Sequence, residues 1–202
     1  MKKIVLVLVL LVVIFGIYWF KFRPEKKVDY VKTEPLKSSR HSPAFNNSLD
    51  TLLNAYFNLK DAFVNADTAM AKTATKKFIV LADSLQFEEL KKDTTGIFET
   101  ATTLMGDVKA NAESLLKEAN ITDMRQDFRM VGESIYPLLK TIHYEGKTLY
   151  WQNCPMAFGE GKEANWISNT EQIIDPYLGK NHPEFKDTML GCGEVKDSIK
   201  AL

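Results

Sequence analysis

The chain has 202 residues, of which 45% are hydrophobic and 26% are charged, a balance typical of a folded domain rather than a disordered one. Its 26 basic residues are matched by 26 acidic residues, so the formal net charge is zero. A nucleic-acid-binding protein usually shows a basic excess or a basic stripe, and this sequence has neither. We therefore exclude nucleic acid as a partner.

An uncharged apolar run, Ile4–Phe20, follows two lysines near the start of the chain. It has nearly the length that a helix needs to cross a bilayer, and Tyr18 and Trp19 lie where aromatic rings favour the interface. A cleaved signal peptide is the alternative, but the run is longer than a usual signal core and no small-residue cleavage site follows it. We predict one transmembrane helix over residues 1–22. Since a short N-terminal tail usually stays in the cytoplasm, this makes a single-pass inner-membrane protein with its folded domain in the periplasm.

Four helical patterns follow a linker. We predict that residues 23–44 form the linker, because they contain three prolines, many charges and no apolar period. Over residues 45–143, apolar residues then recur at intervals of three and four in four consecutive segments. Each stripe lines one face of a helix and requires a partner to bury it. The short connections favour antiparallel neighbours, so we predict a mainly α fold built on an antiparallel four-helix bundle.

Local signals predict where these helices begin and whether the last one is interrupted. Asp67, Thr95 and Asp123 are the expected N-caps of the last three helices. Pro137 lies inside the fourth pattern, where it removes a backbone donor. Because the apolar period continues past it, we predict a kinked helix rather than one that ends there.

The segment 144–202 differs from the bundle, because the helical period is lost and aromatic residues, Gly and Pro become frequent. Thr148–Gln152 is typical of a short strand, and Asn165–Ser168 is its expected partner. We predict a small irregular C-terminal tail that contains a short β-hairpin and packs on the bundle.

Both cysteines of the chain lie in this tail, each with a methionine nearby. Cys154 and Met156 share a face of an extended segment, and Met189 and Cys192 share a face of a helical turn. Soft sulfur ligands select Cu(I) and related ions, and His182 is a further candidate ligand. The competing interpretation is a structural disulfide, which is common in oxidising compartments, and free, buried thiols are a third. Metal binding and the disulfide both apply if the pair is redox-switched, since only the thiolate binds a metal.

Catalytic motifs are missing from the sequence. It contains no glycine-rich phosphate loop, no Gly-x-Ser-x-Gly and no His-Glu-x-x-His, and no spacing of carboxylates singles out an acid/base pair. We therefore predict that the protein is not an enzyme.

Several short motifs together resemble one family. They are HSPAFN at 41–46, YFNLKDAFV at 56–64, LYWQNCPMAF at 149–158, NWIS at 165–168 and CGEVK at 192–196. In these motifs the chain resembles the bacterial domain-of-unknown-function family 3347 over nearly all of its length after the linker. The resemblance implies a domain without an established activity. Such domains occur alone in the envelope or attached to periplasmic adaptor subunits of copper- and silver-type efflux pumps.

A second resemblance concerns the first cysteine. Cys154-Pro155-Met156 is similar to the start of the Cys-Pro-Met-His-Pro core of small heavy-metal-binding domains. Ala157 and Phe158 replace the His-Pro here, which removes one expected ligand.

These observations lead to one leading prediction and one alternative. The first is an envelope protein for copper handling or efflux, which binds Cu(I) or Ag(I) through Cys154, Met156, Met189, Cys192 and His182. Its expected partners are the membrane and a periplasmic efflux adaptor or another envelope protein. The alternative is a structural or interaction module of an envelope complex, with a Cys154–Cys192 disulfide and no metal.

Overall fold

The computed structural model describes residues 41–182 and 184–201, together with Phe15, Tyr18, Trp19 and Lys21. The chain divides into two compact units, Met1–Ser38 and Ser39–Leu202. Apart from those four N-terminal positions, the predicted anchor over residues 1–22 and most of the predicted linker lie outside the described residues. Within the described ranges, no helix is long and apolar enough to cross a membrane.

The second unit is mainly helical, as the apolar stripes predict. Its four α-helices are α1 (Pro43–Val64), α2 (Thr68–Ser84), α3 (Ile97–Lys117) and α4 (Ile121–Thr141). A short 3-10 helix, Glu88–Lys92, lies between α2 and α3. Helices that follow one another in the chain pack together. The predicted four helices are therefore confirmed.

Aromatic rings join α1 to α4 and so close the bundle. The ring of Phe128 on α4 stacks on Tyr56 with centroids 5.2 Å apart and contacts Phe63 at 4.8 Å. All three side chains are fully buried. Such rings contribute much of the apolar area that drives helix association.

The helix starts show which cap predictions hold. Asp67 caps α2, because its side chain accepts a hydrogen bond from the N–H of Met70. The other two predictions are wrong. Asn120 caps α4 by accepting from the N–H of Asp123, so Asp123 lies in the first turn instead. Gly96, not Thr95, precedes α3, with φ of +84° and no side-chain cap.

Pro137 does not end its helix. α4 continues through it to Thr141, as predicted. Tyr136 and Leu138, on either side of the proline, are both buried in the core. The helix therefore keeps both neighbours of the proline in the core, and the kink at Pro137 stays a prediction.

The tail forms a three-stranded antiparallel sheet. Its strands are β1 (Leu149–Cys154), β2 (Ala164–Ser168) and β3 (Glu194–Ile199), in the order β2-β1-β3. The predicted β1–β2 hairpin is confirmed, whereas β3 was not predicted. All of β3 is exposed or only partly buried, so the strand lacks the apolar alternation by which strands are recognised.

The sheet packs on α4 at a point where the helix has no side chain. A Cβ added at Gly132 would lie 3.3 Å from the hydroxyl oxygen of Tyr56 and 3.5 Å from the carbonyl oxygen of Asn165. The same Tyr56 hydroxyl accepts a hydrogen bond of 3.2 Å from the N–H of Ile167 on β2. The ring of Trp151 stacks on Tyr136 of α4, with centroids 4.4 Å apart. Gly132 thus permits a close approach between sheet and helix.

Candidate functional site

The two cysteines meet at one end of the sheet and form a disulfide. Cys154 is the last residue of β1, and Cys192 lies two residues before β3, which pairs with β1. Their Cα atoms are 5.5 Å apart and the bond spans 38 residues of sequence. Cys154 is fully buried and Cys192 partly so. Of the interpretations left open by the sequence, the disulfide is the one observed, and in this state neither sulfur is a thiolate.

Gly193 brings Cys192 close to β1. Its φ is +130°, a backbone conformation that residues with a side chain rarely adopt. A Cβ at this position would lie 2.2 Å from the carbonyl oxygen of Asn153, the neighbour of Cys154. Glycine is therefore required between Cys192 and β3, and it sets the approach of the two cysteines.

A buried carboxylate lies beside the disulfide. The Sγ atoms of Cys154 and Cys192 and one carboxylate oxygen of Asp175 all lie within 4.8 Å of one another. The Asp175 Oδ1 accepts hydrogen bonds from the N–H groups of Tyr177 (2.7 Å) and Leu178 (3.2 Å). Its own N–H donates to the carbonyl oxygen of Leu190, which ties this turn to the segment before Cys192.

The environment of Asp175 makes it a proton-binding group near neutral pH. The residue is fully buried, and Oδ2 has no hydrogen-bond partner in the described part of the chain. Burial raises the pKa of the carboxyl group to about 7, against the smaller opposing effects of its two N–H donors and the charge of Arg125. A carboxyl group of this kind can release or accept a proton beside a dithiol.

Arg125 holds the Asp175 turn against the bundle. Its Nε donates to the carbonyl oxygen of Pro176 at 2.9 Å, and its Nη2 donates to that of Phe63 at 2.8 Å. Burial lowers its pKa to about 10, while Asp175 opposes the shift, so the guanidinium stays charged at neutral pH. A Cβ at Gly179, where φ is +61°, would lie 3.1 Å from the same Phe63 oxygen, which leaves little room for a larger residue.

The other predicted ligands lie in different surroundings. Met156 and His182 both line a cleft of about 540 Å³. The ring of His182 stacks on Phe185, and its Nδ1 accepts a hydrogen bond from the Phe185 N–H. Met189 is partly buried against the hydrophobic core. Within the described residues, the group of converging Cys, Asp, Glu or His atoms at the disulfide does not include His182.

Comparison with known families identifies the helical part of the chain. The model of a family described as a protein of unknown function, DUF3347, matches residues 52–147. This match covers a little under half of the chain. The resemblance drawn from the sequence motifs is thus confirmed for this stretch, and the family description prints no activity. No curated protein and no solved structure matches the chain.

The DUF3347 match covers the bundle but not the disulfide. It runs from within α1 through α4 and ends before β1, so Cys154, Asp175 and Cys192 all lie beyond it. Arg125 lies within the DUF3347 segment and connects it to the turn that carries Asp175. The family match therefore covers most of the helical scaffold and none of the three residues at the disulfide.

Sequence reasoning missed Asp175 as a site residue. The run Asp175-Pro176-Tyr177-Leu178-Gly179 predicts a turn, and the structure places a turn at 176–178. The usable signal was a single carboxylate in an otherwise apolar run, which indicates a buried acid with a defined partner. Sequence spacing gave no reason to place that acid near either cysteine.

Proposed function

We propose that this protein is an envelope protein that binds a soft metal ion, Cu(I) or Ag(I), through Cys154 and Cys192 once their disulfide is reduced. The observation that supports the proposal is the convergence of two sulfur atoms and one oxygen of buried Asp175 within 4.8 Å. Thiolate sulfur selects Cu(I) and similar soft ions over hard cations. The disulfide then acts as a redox gate on the site.

In this proposal the site opens by reduction of the disulfide and then releases protons when the ion binds. A dithiol reductant supplies two electrons and two protons to the S–S bond, which yields two thiols and leaves the reductant as a disulfide. Binding of the ion displaces two protons from the thiols. Since burial raises the pKa of Asp175 to about 7, its carboxylate accepts one of them in this proposal, and water takes the other.

Neighbouring side chains supply further soft ligands in this proposal. Met156 lies two residues beyond Cys154, and the N–H of Cys192 donates to the carbonyl oxygen of Met189 at 2.9 Å, so each methionine is local to one cysteine. His182 is the fifth ligand of the set. Convergence of all five on one ion stays a prediction for the reduced protein.

The proposal also assigns a location and a partner. Residues 1–22 hold the domain at the periplasmic face of the inner membrane, where the run Ile4–Phe20 spans the bilayer. The ion passes from the reduced site to an efflux adaptor or another envelope protein. The family resemblance supports this assignment by analogy of architecture alone.

A second function is favoured by the disulfide itself. In that case the Cys154–Cys192 bond is a permanent cross-link that fastens β3 to β1, and the protein is a structural or interaction module. The two functions differ in what the reduced protein does, because only the first requires its two thiols to bind a metal ion.

The deciding experiment is a metal titration of the full chain in detergent. The protein is reduced with a dithiol under argon, freed of reductant, titrated with Ag(I) and examined by native mass spectrometry. We expect the reduced protein to retain a single Ag(I) and the oxidised protein to retain none. Cys154→Ser and Cys192→Ser should each lose the ion, whereas Met70→Leu, at an exposed methionine of α2, should keep it.

Two outcomes would reject metal binding in favour of the cross-link. One is a reduced, folded protein that retains no Ag(I). The other is retention that is unchanged when Cys154 and Cys192 are both replaced by serine.

A further inference from the structure

The cleft of about 540 Å³ combines one buried cation with an apolar wall. Arg125, Thr122 and Gln126 contribute from the first turns of α4. The apolar wall is formed by Met156, Phe158 and Phe185, each of which is only partly buried. Concave sites of a few hundred cubic ångströms, mostly apolar with a few placed polar groups, are typical of small-molecule binding.

The guanidinium of Arg125 has a free donor group at this cleft. Only 4% of the residue is exposed. Nε and Nη2 are used by backbone carbonyl oxygens, while Nη1 has no hydrogen-bond partner among the described residues. Nη1 is not one of the fully enclosed unpaired atoms either, so part of its surface is accessible, and Arg125 is one of the residues that line the cleft.

The charge of Arg125 is also not neutralised by direct contact. In the described ranges no carboxylate lies within ion-pair distance of it. Asp175 acts on it only through a longer-range electrostatic interaction. Glu160 and Glu184 line the cleft as well, but both are exposed, so water and salt weaken their repulsion of an anion more than they weaken the pull of a buried cation.

We propose that this cleft binds a small organic anion, a carboxylate carried by an apolar body. The carboxylate accepts charge-assisted hydrogen bonds from Nη1 of Arg125, and the apolar body packs against Met156, Phe158 and Phe185. A buried guanidinium is suited to this role, because its hydrogen bonds to carboxylate are stronger than those between neutral groups. The proposal is independent of metal binding, and its test uses the oxidised protein, which offers no thiolate.

The test follows the methyl group of Met156 in the full chain. Oxidised protein labelled with ¹³C at its methionine methyls is titrated in detergent with phenylacetate and, separately, with neutral phenylacetamide. We expect a saturable shift of the Met156 resonance with phenylacetate and none at Met70, which does not line the cleft. The amide should bind about 10- to 100-fold more weakly, since it lacks the charge that Arg125 recognises. Comparison of the two probes also corrects for partition into micelles.

Variants test the wall separately from the fold. Replacement of Arg125 removes two hydrogen bonds that hold the 176–179 turn, so loss of binding in that variant could reflect unfolding. Phe185→Ala removes one partly buried ring of the wall and should weaken phenylacetate binding about five- to tenfold. Phe98→Ala, at a partly buried ring of α3 that does not line the cleft, is the matched control and should bind as the wild type does.

Three results would overturn the proposal. The first is no Met156 shift up to millimolar phenylacetate. The second is equal affinity for the acid and the amide, which would remove Arg125 as the anchor. The third is an equal loss of affinity in Phe185→Ala and Phe98→Ala.

Discussion

Asp175 is an acidic residue in the protein interior, and its pKa of about 7 couples stability to pH. The unfolded chain releases this proton near pH 4, whereas the folded chain holds it until about pH 7. Between these values the folded state binds more protons than the unfolded state, so the free energy of unfolding falls as pH rises. A difference of this size corresponds to roughly 4 kcal/mol, all of it lost by pH 7 to 8.

Replacement of Asp175 by asparagine isolates this effect. Asp175→Asn keeps an oxygen for the N–H groups of Tyr177 and Leu178 and removes the charge. We expect the unfolding free energy of the variant, measured in urea on the oxidised chain, to change less than that of wild type between pH 5 and pH 7.5. Asp187→Asn, at an exposed aspartate, should reproduce the wild-type profile. Parallel profiles for all three proteins would show that Asp175 has an ordinary pKa.

The edge strand β3 is fastened to β1 by the Cys154–Cys192 disulfide as well as by strand pairing. Its residues are at least partly exposed; Ile199 packs on the core, and Asp197 pairs with the exposed Lys140 of α4 at 2.8 Å. An exposed pair of this kind contributes at most about 1 kcal/mol. The disulfide closes a stretch of 38 residues, for which the loss of unfolded-chain entropy is roughly 4 kcal/mol.

Removal of the disulfide should therefore loosen β3 before the helices. In Cys154→Ala/Cys192→Ala we expect the amide hydrogens of β3 to exchange much faster, with a fall in global stability of roughly 2–4 kcal/mol. Hydrogen exchange followed by mass spectrometry measures both the protection of the β3 amides and the global stability. Lys140→Ala, which removes only the ion pair, should leave most of the protection in place. Unchanged protection of β3 in the double variant would show that pairing with β1 suffices.

The helices could be predicted from sequence because each one is specified locally. Leu49, Leu59 and Phe63 repeat on one face of α1, and the same is true of Met124, Phe128 and Ile135 on α4; all six are buried. The β1–β2 hairpin could be predicted as well, because the residues of each of its two strands are typical of a strand. β3 could not be predicted in this way, since pairing with β1 rather than an apolar face makes it a strand.

At the scale of the whole molecule, the candidate site depends on distant parts of the chain. The disulfide joins residues 38 apart, and Arg125 reaches Pro176 across 51 positions. The sequence predicted a meeting of the two cysteines but left its chemistry open. Asp175 was missed because its position beside the two cysteines arises from packing of the complete tail, which sequence spacing does not show.

The N-terminal segment carries the remaining prediction at this scale. We expect the full chain to stay with membranes through an alkaline wash and to keep residues 1–22 by intact mass, because the run Ile4–Phe20 is uncharged. Leu8→Arg/Leu11→Arg places two charges near the middle of that run, at about 3 kcal/mol each, and should release the protein. A mature chain that lacks residues 1–22 would show that the segment is a cleaved signal.

Gly132 has a consequence for how relatives are sorted by architecture. Its missing side chain admits the sheet to the helix surface, where the Tyr56 hydroxyl and the Asn165 carbonyl would both lie close to an added Cβ. A homologue with a residue larger than alanine at the corresponding position would have to hold its sheet farther away or lack one. Glycine or alanine at this one position is therefore what the observed packing of the sheet on α4 requires.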